Sequence, residues 1–443
     1  TIHTTIHTTI HTTIHTTIHT TIHTTIHTTI HTTIHTTIHT TRLKNMSGPL
    51  QGVKVLDLSA VVAGPLAAAL LADQGADVIK VERIGSGDIQ RHVGSSRNGF
   101  SGFFHMLNRG KKSIALDFSK PEAVDIVCKL AADVDVVIQN FRPGVVDRLG
   151  VGYEQLKQHN PGIIYLSISG FGPDGPQAKK RAYDPIIQTY SGIAHVQGLK
   201  RGEGPEQVNQ LIMDKLTAHH GCQSISAALY YRTQSGKGQH ITLSMLDTAA
   251  AFLWPDAGAD NILQGENIDH RPAIGGSGQL MEYRDGWGAI MILSDSEFEG
   301  MCRAFELPEL AQDARFNSLS ARMDHRLEYQ QMMAGVVCQA AAKLSLEEAE
   351  HRLSDCGVPF ARLRQLADLP QDPQAIHNRI FQTINHPTAG LLRETRPAPR
   401  FSESPAEPAG FAPTVGEHTA EILATIGLEA ELADLIDRGI VGI

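Results

Sequence analysis

From Val53 onward the chain alternates short apolar runs with stretches of helical spacing, and this alternation narrows the fold more than any other feature. Val53–Leu58, Asp77–Glu82, Ser113–Asp117, Val134–Gln139 and Ile163–Ile168 read as buried strands. Pro65–Gln74 and Pro121–Ala132 read as helices with proline in the first turn. Strands joined through helices pair in parallel, so an α/β, doubly wound sheet is expected, with ligands at the strand C-termini. Short runs at Gln239–Ser244 and Ala289–Leu293 add β content. Helical spacing from Glu297 to Leu353 predicts a smaller second domain. Glu394–Thr414 reads as an exposed, extended connection, and Glu417–Ile426 as a helix before a helical tail.

The first 40 residues are of another kind: ten copies of Thr-Ile-His-Thr, with histidines at a period of four from His3 to His39. On a helix those histidines would form one stripe open to metal. Threonine and isoleucine are poor helix formers, however, and a perfect repeat reads better as a translated repeat or disordered extension. Residues 1–45 are therefore set apart, with the folded pattern starting after Met46. A net charge of −9 argues against a general nucleic-acid binder. No apolar run reaches the length of a transmembrane helix. The five cysteines (Cys128, Cys222, Cys302, Cys338, Cys356) are odd in number and contain no CxxC pair, so neither a disulfide framework nor a zinc site is expected. With no secretory signal pattern at either candidate start, a reducing cytoplasm fits best.

The turn from first strand to first helix, Ser59–Pro65, lacks the GxGxxG spacing that lets backbone approach a pyrophosphate, which argues against a nicotinamide or flavin enzyme. Any anionic ligand then needs a local basic cluster. Three stand out: Arg109, Lys111 and Lys112 before a strand; Arg142 in Asn140–Gly144 after a strand, with Arg148 beyond; and Lys179–Arg181. Each is either a phosphate contact, with arginine offering bidentate hydrogen bonds, or solvated surface. Asp184 precedes Pro185 at an apolar helix start, an N-cap pattern. Asp214 follows Leu211-Ile212-Met213 and opens a helix running to about Arg232. It is either another cap or a partly buried carboxylate with a perturbed pKa. Gly275-Gly276-Ser277-Gly278-Gln279 reads as a cover loop or linker. A phosphate cradle would need a following helix, and Leu280–Arg284 does not read as one.

Taken in order, LQGVKVLDLSAVVAGP, DVIKVERIGSGD, NRGKKSIALD, VIQNFRPGVVDRLG, RAYDPIIQTYSG, LIMDKLTAHHG, SGKGQHITLSMLD and GGSGQL make the chain resemble the family III CoA-transferases (the CaiB/BaiF group) from Leu50 onward. That family contains formyl-CoA transferase and the carnitine CoA-transferase. The resemblance implies a Rossmann-like large domain (46–250) that binds CoA. It also implies a linker and smaller α+β domain (251–375), a segment returning to the large domain (376–443), and an interlocked homodimer. It makes Asp214 the nucleophile that takes CoA from an acyl-CoA donor, through an anhydride and an aspartyl-CoA thioester, and passes it to a carboxylic acid. CoA is then a substrate, with no tightly bound cofactor. It would lie against Val62, Ala63, Arg83, Leu116, Asn140, Phe141, Arg142, Arg148, Arg181, Tyr183 and Asp184, with Gly275, Gly276 and Gly278 in a loop closing over Asp214. Val62 replaces the glutamine of formyl-CoA transferase, so a different acid pocket is expected. Two rival readings follow. One is an acyl-CoA racemase using Asp184 as a base, although Tyr183 stands where racemases place histidine and the nearest upstream histidine is His159. The other is a non-catalytic CoA-binding dimer, which would need neither Asp214 nor the glycine loop.

Overall fold

A computed structural model describes residues 48–199, 204–269 and 278–443. The histidine repeat and the glycines Gly275 and Gly276 lie outside the described residues.

Six parallel strands form the main sheet: β1 (Lys54–Asp57), β2 (Asp77–Arg83), β3 (Lys112–Leu116), β4 (Val136–Gln139), β5 (Ile164–Ser169) and β6 (Gln239–Ser244). Their spatial order is 3-2-1-4-5-6. The order reverses between β1 and β4, and a crevice opens at such a switch point outside the strand C-termini. Alternation of side chains along each strand builds a core on both faces. Leu56, Val137 and Tyr165 point to one face, against Ile126 and Leu130 of the helix Pro121–Ala131. Val55, Val136, Ile138, Ile164 and Leu166 point to the other, against α1 (Ala63–Ala72) and Ile225 and Leu229 of a long later helix.

Downstream, β7 (Gln279–Tyr283), β8 (Gly286–Ile290) and β9 (Phe360–Arg362) make a small antiparallel sheet. It shares a separate core with Phe298, Met301, Val337 and Leu353. A hairpin of β10 (Phe381–His386) and β11 (Gly390–Thr395) follows.

Two expectations need correction. The main sheet is mixed, not purely parallel, because β12 (Val441–Gly442) pairs antiparallel with Leu116 and Ala115 at its edge. A two-residue strand carries no readable period, so the tail read as helix alone. Glu394 also does not belong to an exposed connection. It lies in β11, is buried, and binds His105 and Arg109. Among the described residues no helix is long and apolar enough to cross a membrane.

Candidate active site

Two adjoining cavities of about 240 and 420 Å³ open at the switch point, sharing Ala60 and Phe141. The first is lined by Val62 and Ala63 from the β1–α1 turn, Asn140–Arg142 after β4, Arg181 and Tyr183, and Asp214. The second is lined by Lys80, Glu82 and Arg83 of β2, Asp88 beyond it, Leu116–Ser119 at the end of β3, and Phe141. Loops after parallel strands converge here because the six parallel strands point the same way. Residues far apart in sequence are thereby brought together: Val62, Ala63, Arg83, Leu116, Asn140, Phe141, Arg142, Arg181, Tyr183 and Asp214.

Two of the expected residues are not in either lining. Arg148 is exposed on the short helix Val145–Leu149. Asp184 is buried. It is the first residue of α2 (Asp184–Ser191), whose N-cap, Tyr183, makes no side-chain cap. The Asp-Pro pattern thus marks the helix start, but the carboxylate serves a neighbour. Its Oδ2 accepts from the backbone N–H of Asp214 at 2.9 Å and its Oδ1 from Gln188 Nε2 at 2.6 Å. Gln188 Oε1 in turn accepts from the Val208 N–H at 2.9 Å. Asp184 and Gln188 together therefore pin the entry to α3 (Ile212–Ser235), the helix that carries Asp214.

Asp214 sits in the first turn of α3 and is half-buried, with its side chain at the first cavity. Burial and the nearby Asp184 carboxylate push its carboxyl up to about 7, against the lowering pull of the Ala63 backbone N–H. A carboxyl shifted toward neutral pH beside a cavity is a candidate for chemistry as well as for capping.

The β1–α1 turn is unusually constrained. Val61 has φ of 69°, a left-handed conformation that a β-branched residue strongly disfavours and that costs ~1–3 kcal/mol. Gly64 is required for closeness: a side chain there would collide with Ser59, its added Cβ lying 2.3 Å from the Ser59 side chain. Asn140 clasps the turn, its Oδ1 accepting from Ala60 N–H at 2.9 Å and its Nδ2 donating to Ala60 O at 2.6 Å.

Of the three basic clusters, the first is structural. Arg109 is buried in a two-pronged pair with Asp73 at 2.6 and 2.9 Å. Lys111 is buried on Asp57 at 2.8 Å, and Lys112 pairs with Glu421. Arg142 and Arg181 are exposed on the cavity wall, and neither makes an ion pair among the described residues. Lys180 joins them there. Sequence reasoning passed over Val61, Lys80 and Asp88. A lysine inside the apolar strand run Asp77–Arg83 was the available signal. Gly278 is exposed just before β7, so a strand rather than a helix follows the glycine loop. Among the described residues no group of three or more His, Cys, Asp or Glu side chains is placed to hold a metal.

The model of CoA-transferase family III matches residues 50–419. Succinyl-CoA:glutarate CoA-transferase of Mus musculus is 34% identical over 386 residues, covering 85% of this chain and 86% of the relative. Succinyl-CoA--D-citramalate CoA-transferase of Chloroflexus aurantiacus is 31% identical over 382 residues, covering 85% of this chain and 94% of the relative. A crystal structure of a CaiB/BaiF family protein from Brucella suis superposes with a TM-score of 0.73 at 32% identity, covering 86% of this chain and all of that one. With the match spanning both the switch-point crevice and the elements downstream of it, the chain belongs to the family III CoA-transferases and is a transferase enzyme.

Proposed function

We propose that this enzyme moves CoA from a small dicarboxylic acyl-CoA, with succinyl-CoA as first candidate donor, to a second small carboxylic acid through Asp214. The observation that carries this reading is the half-buried Asp214 carboxyl at the first cavity, raised to about 7 and next to the cavity that continues toward Arg83. The donor class is suggested by relatives named for succinyl-CoA with glutarate, mesaconate, malate or citramalate as partner acid.

The reaction balances without ATP. An Asp214 carboxylate oxygen attacks the thioester carbonyl, and the C–S bond breaks to release CoA thiolate and leave a mixed anhydride. The thiolate attacks the Asp214 carbonyl of that anhydride, giving an aspartyl-CoA thioester and the donor acid as carboxylate. The acceptor carboxylate attacks the thioester and expels the thiolate again. Thiolate attack on the acceptor's acyl carbon then yields the new acyl-CoA and restores Asp214. Splitting one exchange into covalent steps lowers each barrier. Because a carboxylate is a weak nucleophile, positioning carries much of the catalysis. The Ala63 N–H at the start of α1 would hold Asp214 and stabilise the charge that develops on its carbonyl oxygen when thiolate attacks the anhydride.

CoA would run from Asp214 past Phe141 into the second cavity, its phosphates met by Arg83, Arg142, Lys180 and Arg181. The homodimer that the family resemblance implies would be the working unit. The racemase reading is weakened because both Asp184 oxygens are engaged and, among the described residues, neither Asp184 nor any histidine lines either cavity.

The test is peptide mass spectrometry after incubation with a panel of acyl-CoAs. A CoA adduct on the Asp214 peptide, absent from Asp214→Ala, is expected. No adduct together with solvent deuterium entering the α-carbon would overturn the reading.

A further inference from the structure

Beneath the β1–α1 turn lies a set of buried charges that the acyl-transfer scheme does not use, two of which, Lys80 and Asp88, also reach the wall of the second cavity. Lys80 Nζ donates to Ser59 O at 2.9 Å and pairs with Asp88 at 3.1 Å, both side chains being 1% exposed. Asp57 accepts from Ser59 N–H at 3.0 Å and from Lys111 at 2.8 Å. Lys111 also donates to Pro65 O, in the first turn of α1, at 2.8 Å. Asp88 is itself fixed from outside, its own N–H donating to Glu82, which Arg91 and Ser113 hold in place. The Asp88 carboxylate ends on the turn: the Val61 N–H faces both of its oxygens at 3.3 Å.

Buried ion pairs are poor investments in stability, since desolvation offsets most of the attraction and well-packed apolar residues often do as well. Their position here is more informative than their strength. They bind the turn from below at Ser59, Val61 and Pro65, while Asn140 binds Ala60. Val61 at the centre is the residue whose backbone would relax if released. A strained residue persists only where its surroundings over-determine it, and such residues gather at functional sites.

We propose that Asp88, seated on Lys80, is a positioning residue for acyl transfer: it clamps the Val61 amide and thereby fixes the left-handed turn that sets Val62 and Ala63 against Asp214. The proposal deepens the Asp214 reading and rests on it for its kinetic consequence. Release of the clamp lets Val61 return to ordinary backbone angles, and the Ala63 N–H then leaves its station at the nucleophile.

The test is rescue. Asp88→Ala is expected to slow CoA adduct formation at Asp214 about 10–100-fold. Adding Val61→Gly should restore most of the rate, judged against Val61→Gly alone, because glycine takes the left-handed conformation unaided. Because Val61→Gly also relieves strain and so adds stability, rates are compared on the folded fraction of each variant; an Asp88→Ala loss that vanishes on that basis is one of stability and overturns the proposal. An unchanged rate in Asp88→Ala, or a loss that Val61→Gly leaves in place, overturns the proposal. Asp88→Asn keeps the volume and is carried through the same measurements in case the alanine variant does not fold, with the same overturning results. Calorimetric CoA binding separates the two readings. If the wild-type enzyme forms no adduct, the nucleophile assignment falls. The clamp is then read from CoA affinity, which should drop in Asp88→Ala and recover with Val61→Gly; an unchanged affinity overturns it.

Discussion

Charges on the two sides of the β1–α1 turn have opposite circumstances. Below it, Lys80, Lys111, Asp57 and Asp88 are buried and mutually paired. At the cavity rim, Arg83, Arg142 and Arg181 are exposed, and Asp214 stays half-buried with a carboxyl that burial and Asp184 keep from ionising easily. Burial works against a charge on Lys80, but the carboxylates of Asp57, Asp88 and Glu82 outweigh it and hold the ammonium above its ordinary range. A satisfied charge fixes backbone; an unsatisfied one is free to meet a ligand. Availability, rather than residue type, separates framework from chemistry here.

Substitutions on each side test that division. The largest effect belongs to Asp214→Asn, which should cut turnover by at least about 1000-fold while leaving the fold intact. It should even stabilise the protein at pH 8. The folded-state carboxyl titrates near 7 against an ordinary value of 3.8. Its stabilising contribution is therefore full below about pH 4 and lost as pH rises through 7. Removing that loss is worth on the order of 2–4 kcal/mol, and thermal melts at pH 5 and 8 would show it. Arg109→Met is the counterpart among paired charges. It strands Asp73 and should cost about 3–5 kcal/mol of stability, read by urea titration, while the acyl-CoA KM of the folded fraction stays unchanged. A rise in KM without a fall in stability would break the distinction.

Smaller effects sharpen it. Activity should climb about tenfold per pH unit below 7 and level off above, since the proposed attacking group is the Asp214 carboxylate. Asp184→Asn removes the nearby like charge and should move that limb to lower pH, as measured in kcat/KM profiles. Arg142→Ala and Arg181→Ala should each raise the acyl-CoA KM roughly tenfold, less at high salt, with melting temperature unchanged.

Much of this architecture was legible in the sequence because strand and helix periods are local. β2, β5 and β6 fall within a residue of the runs that announce them, and both sheet faces follow from the alternation. Asp214 stood out only through the order of motifs around it, since its immediate neighbours suit a cap equally well. The function of Asp184 was hidden because the N–H it binds belongs to residue 214, on another helix. Arg109 and Arg142 look alike in sequence, and only the approach of Asp73 and Glu394 separates them. Charge partners of this kind are set by tertiary contact, which no local pattern records.

The pairing of β12 with β3 has a bearing on how the chain reaches this state. Strand β3 is synthesised well before Val441 and Gly442, the residues that cover its edge. Until they arrive, Ala115 and Leu116 present unpaired backbone groups, the kind of open edge that recruits other chains. Closing a contact so distant in sequence is also slow. Covering this edge is thus a sealing contact, and loss of Val441 and Gly442 should show first as aggregation during refolding rather than as damage to the crevice.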